Sequence, residues 1–295
     1  MEAARDALLH LVRRDPRQCG SARSRWRLAD VLVQCPGLRL HTPQGLGQLL
    51  ARLGISYQRG REYIHSPDPD YDAKLAAVTT ARQAAQDDPA HQVLLYLDEL
   101  TLYRHPTIAR AWEARGCRQP LARRSQRSNT RTRILGALDA GTGAVHSRRA
   151  ETISIPTLVR FCRDLVAAYP EATTLTVVLD NWSNHFHPDL LVALEPQHAP
   201  FPRYVPQNWS PEPHPAARRK WGGLALPIQL LPLPTYASWC NPIEQLWRKL
   251  RQELGHLHPW ADDLRRLRAE VDVWLAAARA PSPALLHSVG LSTHA

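Results

Sequence analysis

The chain has 295 residues, enough for one large core or for a catalytic domain with a smaller partner. Its 37 Lys+Arg against 27 Asp+Glu give a formal net charge of +10, and because Lys74, Lys220 and Lys249 are its only lysines, nearly all of that charge is guanidinium, which suits a polyanionic partner. Five scattered cysteines with no C-x-x-C pair exclude a disulfide framework and a zinc module, the acid-bearing start Met1–Asp6 is no signal peptide, and no apolar run is long enough to span a bilayer, so a cytoplasmic protein is expected, with no membrane partner.

In chain order, residues 1–65 read as a small helical module. Ala7, Leu8, Leu11 and Val12 share a helical face that Pro16 closes, and Trp26, Leu28, Val31 and Leu32 mark a second helix stopped by Pro36-Gly37. Thr42 and Pro43 form a start signal for a third, with Leu46, Leu49, Leu50 and Leu53 as its apolar face and Gly54 as its stop. Followed by Tyr57-Gln58-Arg59-Gly60-Arg61, this pattern fits a helix-turn-helix with a β wing. Thr42, Gln44, Gln48 and Arg52 would then face DNA from the third helix, with Arg59 and Arg61 on the wing. An ordinary three-helix bundle with a solvated polar face fits equally, and Gly45 and Gly47 each weaken the helix by about 1 kcal/mol.

A linker helix is expected over 66–90, after Ser66-Pro67-Asp68-Pro69-Asp70. From there the pattern becomes α/β: strands at 92–98, 132–139 and 144–150, a turn at 139–143, a helix at 155–168 and a strand at 174–180. A short helix at 187–194, a strand at 228–232 and helices at 241–254 and 260–279 complete a domain over 91–285. Three strands with a hairpin, then alternating helix and strand, is the order of ribonuclease-H-like folds, with a mixed five-stranded sheet and flanking helices. Residues 195–227 interrupt this order. Their proline density disfavours a central strand or helix, so they read as a proline-rich insertion whose basic end, Arg218-Arg219-Lys220, can touch DNA.

Three acids stand out. Asp98 ends the run Val93–Leu97, Asp180 ends Leu175–Leu179, and Glu244 opens an amphipathic stretch in Asn241-Pro242-Ile243-Glu244. A carboxylate buried without a partner at a strand end costs several kcal/mol, and a metal ion offsets that cost. Two magnesium ions roughly 3.5–4 Å apart can activate the attacking oxygen and stabilise the leaving one in phosphodiester chemistry, and carboxylate oxygens suffice to hold them. Each acid also has an ordinary explanation. The aspartates can face solvent at strand termini, and Asn241-Pro242-Ile243-Glu244 is a respectable capping box.

The words around these acids carry a resemblance. Asp98-Glu99-Leu100 with His105-Pro106, Ala111-Trp112 and Arg115-Gly116 resembles the first-aspartate region of bacterial insertion-sequence transposases of the mariner-related superfamily (the insertion-sequence 630 family). Gly136–Gly143 resembles that family's hairpin, and Leu179-Asp180-Asn181 with His185 and His187 its second-aspartate motif. Leu233–Ser238 leading into Asn241–Leu250 is similar to its third-carboxylate signature, the most specific of the four. The resemblance covers about 20–280.

It implies a DDE transposase in which Asp98, Asp180 and Glu244 bind two Mg2+ or Mn2+ ions and are catalytic. Asn181, His185, Asn241 and Arg248 would support the site or contact DNA. It also implies double-stranded DNA partners (terminal inverted repeats and target), a homodimer in the synaptic complex, and a nucleoid-associated place of work. The separation of Asp180 from Glu244, 244 − 180 = 64 positions, exceeds the family's usual gap by the length of the insertion, and relatives usually carry two helix-turn-helix modules where this chain has room for about one, so a truncated module is expected. Three other readings share parts of the pattern: a ribonuclease-H-like nuclease or resolvase, a decayed non-catalytic DNA-binding protein, and a metal-dependent phosphatase.

Overall fold

The computed structural model of the chain describes residues 2–58, 65–114, 116, 118–196, 200–203 and 205–292. Two compact units divide it, Met1–Tyr63 and Ile64–Ala295. In the first, three helices, α1 (Glu2–Arg13), α2 (Leu28–Gln34) and α3 (Pro43–Arg52), bury Leu8, Val31, Leu46 and Leu53 in a core of their own. The Thr42 hydroxyl accepts the Gly45 N–H at 3.1 Å and Pro43 occupies the first turn, so α3 begins where its start signal lies.

The second unit opens with α4 (Tyr71–Asp87), followed by β1 (Gln92–Tyr103), β2 (Arg131–Asp139), β3 (Val145–Ala150), α5 (Ile155–Ala168) and β4 (Thr174–Leu179). The short α6 (Pro188–Leu191) and α7 (Pro215–Trp221) precede β5 (Ile228–Pro232), α8 (Ile243–Leu250), α9 (Leu264–Ala277) and α10 (Pro283–Ser288). The five strands form one sheet in the order β3-β2-β1-β4-β5. β1 pairs antiparallel with β2, and β2 with β3, while β4 runs parallel to both β1 and β5. This is the ribonuclease-H-like order that the sequence pattern implies.

Strand alternation sends the apolar side chains to two faces. Leu94, Tyr96, Leu100, Leu102, Ile134 and Val178 pack against α4, α8 and α9, whereas Val93, Leu95, Leu97, Leu135 and Val177 pack against α5. Each fully buried aliphatic or aromatic side chain contributes about 1.5–3 kcal/mol, so both layers are needed to hold the sheet. The hairpin between β2 and β3 turns where Asp139 Oδ1 accepts the N–H groups of Gly141 and Thr142, and Gly143 takes φ 74° there.

Several elements differ from the sequence expectation. β1 does not stop at Asp98 but runs five residues further, because its pairing with β2 continues from Asp98↔Gly136 to Tyr103↔Arg131. The expected helices 187–194, 241–254 and 260–279 shrink to α6, α8 and α9. Beyond α8, residues Arg251–Gly255 make a single wider turn. The interval 195–227 is not structureless: α7 forms with Pro215 in its first turn and His214 Nδ1 accepting the Ala216 N–H, and Leu194 bridges Leu226 at its base. Proline is excluded from helix interiors but suits a first turn, which is why proline density misleads here.

Gly136 sets how closely α8 approaches the sheet. A Cβ placed there would lie 2.5 Å from Trp247 Cζ2 and 3.2 Å from Ile243 Cδ1. Trp247 is fully buried, so the ring has nowhere to retreat. Gly136→Ala is therefore expected to destabilise the protein by about 1–3 kcal/mol in urea denaturation, an overpacking penalty with little compensation from burying one methyl. An unchanged transition midpoint would show that α8 is not seated on β2 in this way.

Candidate active site

β1 and β4 pair only from Gln92↔Thr174 to Tyr96↔Val178. β4 then ends while β1 continues along β2, and the departure opens a cleft beside the second half of β1. Asp98 stands in that stretch of β1, and Asp180 immediately follows the last residue of β4. Asp98 shares its sheet face with Tyr96 and Leu100, the face that α8 covers. Glu244 lies in the first turn of α8, whose Ile243, Leu246, Trp247 and Leu250 are buried. Asp98, Asp180 and Glu244 line one cavity of about 820 Å3, together with Asn181, Trp182, Asn241 and the loop Leu233–Ser238.

The capping explanation for Glu244 does not hold. α8 starts at Ile243 after Pro242 with no side-chain cap, and Asn241 instead donates Nδ2–H to the Leu97 carbonyl at 3.1 Å. Asn181 makes the matching bond on the other side, Nδ2–H to the Leu233 carbonyl at 2.6 Å. These two asparagines tie β1 beside Asp98, and the segment just after β4 that carries Asp180, to the chain before Glu244. Asn241 Oδ1 is buried and, among the described residues, has no hydrogen-bond partner.

His185 is 1% exposed and bridges two carboxylates, with Nε2 2.9 Å from Glu99 Oε1 and Nδ1 3.0 Å from Asp180 Oδ1. Both ring nitrogens donate, as only the imidazolium can. Burial alone would lower its pKa, but the bonds to Asp180 and Glu99 outweigh burial and raise it to about 10. At this depth its ring holds Asp180. Burial favours the neutral form of Asp180, yet the hydrogen bond and charge of His185, with the Trp182 N–H at 3.0 Å, keep its pKa below the ordinary value. Glu99, neighbour of Asp98 but on the opposite strand face, was given no role from the sequence. Strand alternation is the signal that separates its task from that of Asp98.

Among the described residues Asp98 has no such histidine partner. Burial first, then the charge of Glu244 and to a lesser degree of Glu99 and Asp180, raise its pKa to about 7. Carboxylates that share one cavity and raise one another's proton affinity fit a hard divalent cation, although among the described residues no three acidic, histidine or cysteine side chains form a ready-made cage.

The remaining sequence candidates lie elsewhere. Arg248 is exposed one turn beyond Glu244 on α8. In the first unit Gln44, Gln48 and Arg52 are exposed on α3, while Thr42 caps that helix; Arg59 and Arg61 fall outside the described residues. That unit also has a groove of about 1050 Å3 lined by Arg13, Arg14, Arg17, Arg25 and Arg27, which the sequence reading did not single out because these arginines come from separate segments.

Both titrations have one sign. Asp98 has a folded pKa above its unfolded value, so the stability present below pH 3.8 is lost as pH rises through about 7, and the His185 contribution present below 6.5 is lost through about 10. Without divalent ions, Asp98→Asn should raise Tm by a few °C at pH 8 and leave it unchanged at pH 3.5. Equal effects at both pH values would contradict the assigned charge strain.

Residues 93–268 match the family described as DDE superfamily endonuclease. The insertion element IS630 uncharacterized 39 kDa protein of Shigella sonnei is 26% identical over 254 residues, covering 85% of this chain and 64% of that protein, so this chain spans just under two thirds of its curated relative. Among solved structures, the Mos1 transposase paired-end complex with left transposon end aligns at TM-score 0.61 and 13% identity, over 97% of this chain and 74% of that one. The Mos1 strand transfer complex aligns at 0.57 and 13%, over 97% and 73%. At such identities these two likenesses bear on the fold.

Proposed function

The chain belongs to the DDE superfamily of endonucleases, and from that premise we propose that it is a DNA transposase, cutting phosphodiesters at the ends of a mobile element and joining the freed 3′-hydroxyl to target DNA. The observation that carries this reading is the meeting of Asp98, Asp180 and Glu244 at one cleft beside β1.

Asp98, Asp180 and Glu244 would hold the divalent cations, two of Mg2+ or Mn2+. When bound, these supply Lewis-acid stabilisation of the attacking and leaving oxygens. The chain's own residues prepare for this. His185, fixed by Glu99, keeps Asp180 ionised and aimed, while Asn181 and Asn241 hold the backbone on either side of the cleft. The high pKa of Asp98 keeps it partly protonated at neutral pH, and holding a cation would require it to give up that proton. The three acids would serve as cation ligands rather than as a covalent nucleophile, so direct transfer by water or a DNA hydroxyl is the reaction that this reading implies.

Net charge of +10 and the arginine groove of the first unit support double-stranded DNA as the substrate. In this reading residues 1–65 bind the terminal inverted repeats through Gln44, Gln48, Arg52 and the neighbouring arginines, 66–90 link, and 91–285 catalyse as a homodimer that pairs two ends at the nucleoid. Arg248, exposed beside Glu244, would contact the DNA backbone.

The decisive assay offers the protein a pre-cleaved end, a target plasmid and Mg2+ or Mn2+. Joined product is expected, and Ala at Asp98, Asp180 or Glu244 should each reduce joining at least ~10³-fold while leaving duplex binding within about 3-fold. Cleavage without joining would instead identify a plain nuclease, and binding with neither activity a non-catalytic DNA-binding protein.

A further inference from the structure

Tyr236 has a backbone its residue type rarely adopts. Its φ is 55°, in the left-handed region where a bulky side chain is strained. Such strain persists only where the surroundings impose it, and the neighbouring residues show how. The Thr235 N–H donates to Asp68 Oδ2 at 2.7 Å, and the Thr235 carbonyl accepts from the Ser66 hydroxyl at 2.6 Å. Asp68 is itself held by Lys74 Nζ at 2.7 Å, in an ion pair with both side chains at most 4% exposed. Ala237 N–H bonds the Pro234 carbonyl, and Leu233 N–H bonds the Leu179 carbonyl at the end of β4. A rigid frame thus fixes the backbone on both sides of Tyr236.

Its ring is left open. Tyr236 is 75% exposed, and its hydroxyl makes no hydrogen bond among the described residues. It lines the same cavity as the three carboxylates, and Trp182 lines it too, with its indole braced edge-on against His185 at 5.2 Å. A cavity of about 820 Å3 is the size of a small-molecule site and exceeds what hydrated cations alone fill. An exposed aromatic face carried on a fixed backbone, next to a site for phosphodiester chemistry in a strongly basic protein, matches the π-face of a nucleobase.

We propose that Tyr236 is a stacking platform for one unpaired nucleobase beside the scissile phosphate, with Trp182 as the apolar wall of the same site. This rests on the DNA-processing reading above and adds to it how strand ends are gripped. Stacking is tolerant of base identity, so the platform selects unpaired ends rather than a sequence. It also explains why a strained tyrosine stands where glycine would be comfortable.

The test measures fluorescence anisotropy of three fluorescein-labelled duplexes in Ca2+: blunt, with a short single-stranded 3′ tail, and with the same tail lacking its bases. Wild type should bind the base-bearing tail on the order of ten-fold tighter than the abasic tail, which has the same phosphates. Tyr236→Gly should abolish that preference while its Tm stays at or above wild type, because glycine takes this φ without strain; Tyr236→Trp should keep the preference. Equal binding of the two tails by wild type would overturn the platform and leave the transposase reading standing, as would a Tyr236→Gly variant that keeps the preference, whatever its Tm. Failure to bind any duplex would overturn both.

Discussion

The indole of Trp247 fills the space left by the missing side chain at Gly136, and Gly136 is the residue directly across β2 from Asp98. Opposed residues of an antiparallel pair point to the same face, so the contact that seats α8 and the acid on β1 are neighbours. The first turn of α8 carries Glu244, and its approach to the sheet is therefore set one turn away from the carboxylate itself. Any side chain at position 136 lifts the helix, and the third acid with it. Packing, rather than loop conformation, brings Glu244 to the cleft.

Having gathered the acids, the fold treats their charges differently. Asp180 is neutralised from behind by a buried imidazolium, which Glu99 anchors in turn. Asp98 and Glu244 are left to repel each other, and Asp98 responds with a pKa near 7. A site compensated in part by its own protein and in part not at all is stable enough to fold and still short of positive charge. That imbalance is the reason to expect a divalent ion, and it is a stability cost retained for chemistry. The same trade recurs at Tyr236, where a buried Lys74–Asp68 pair supports a strained backbone at the cavity wall.

Much of this was legible in the sequence because apolar runs and punctuation report directly on the sheet and helix starts: 92–98, 132–139 and 174–180 for strands, Thr42-Pro43 for α3. Placement of the acids followed from the same runs. What escaped detection has specific causes. Asp98 looked like a strand end because a charged pair, Asp98-Glu99, interrupts the apolar pattern, yet Leu100 and Leu102 resume it on one face. Asn241 looked like a cap because short-range spacing cannot reveal its bond to Leu97, which is 144 positions away. The bridge made by His185 was not legible because local spacing cannot reveal its bond to Glu99, which is 86 positions away. The proline-rich interval hid α7, since proline in a first turn and proline in a loop read alike. No residue type announces the positive φ of Tyr236.

The most direct test of the central claim is a crystal structure grown with Mn2+, with an anomalous difference map locating the metal. The account predicts manganese in the cleft beside β1, within coordinating distance of Asp98, Asp180 and Glu244, with His185 still bridging Glu99 and Asp180. Manganese bound elsewhere, or a Glu244 side chain directed away from Asp98 with the cleft lacking metal at saturating Mn2+, would contradict it.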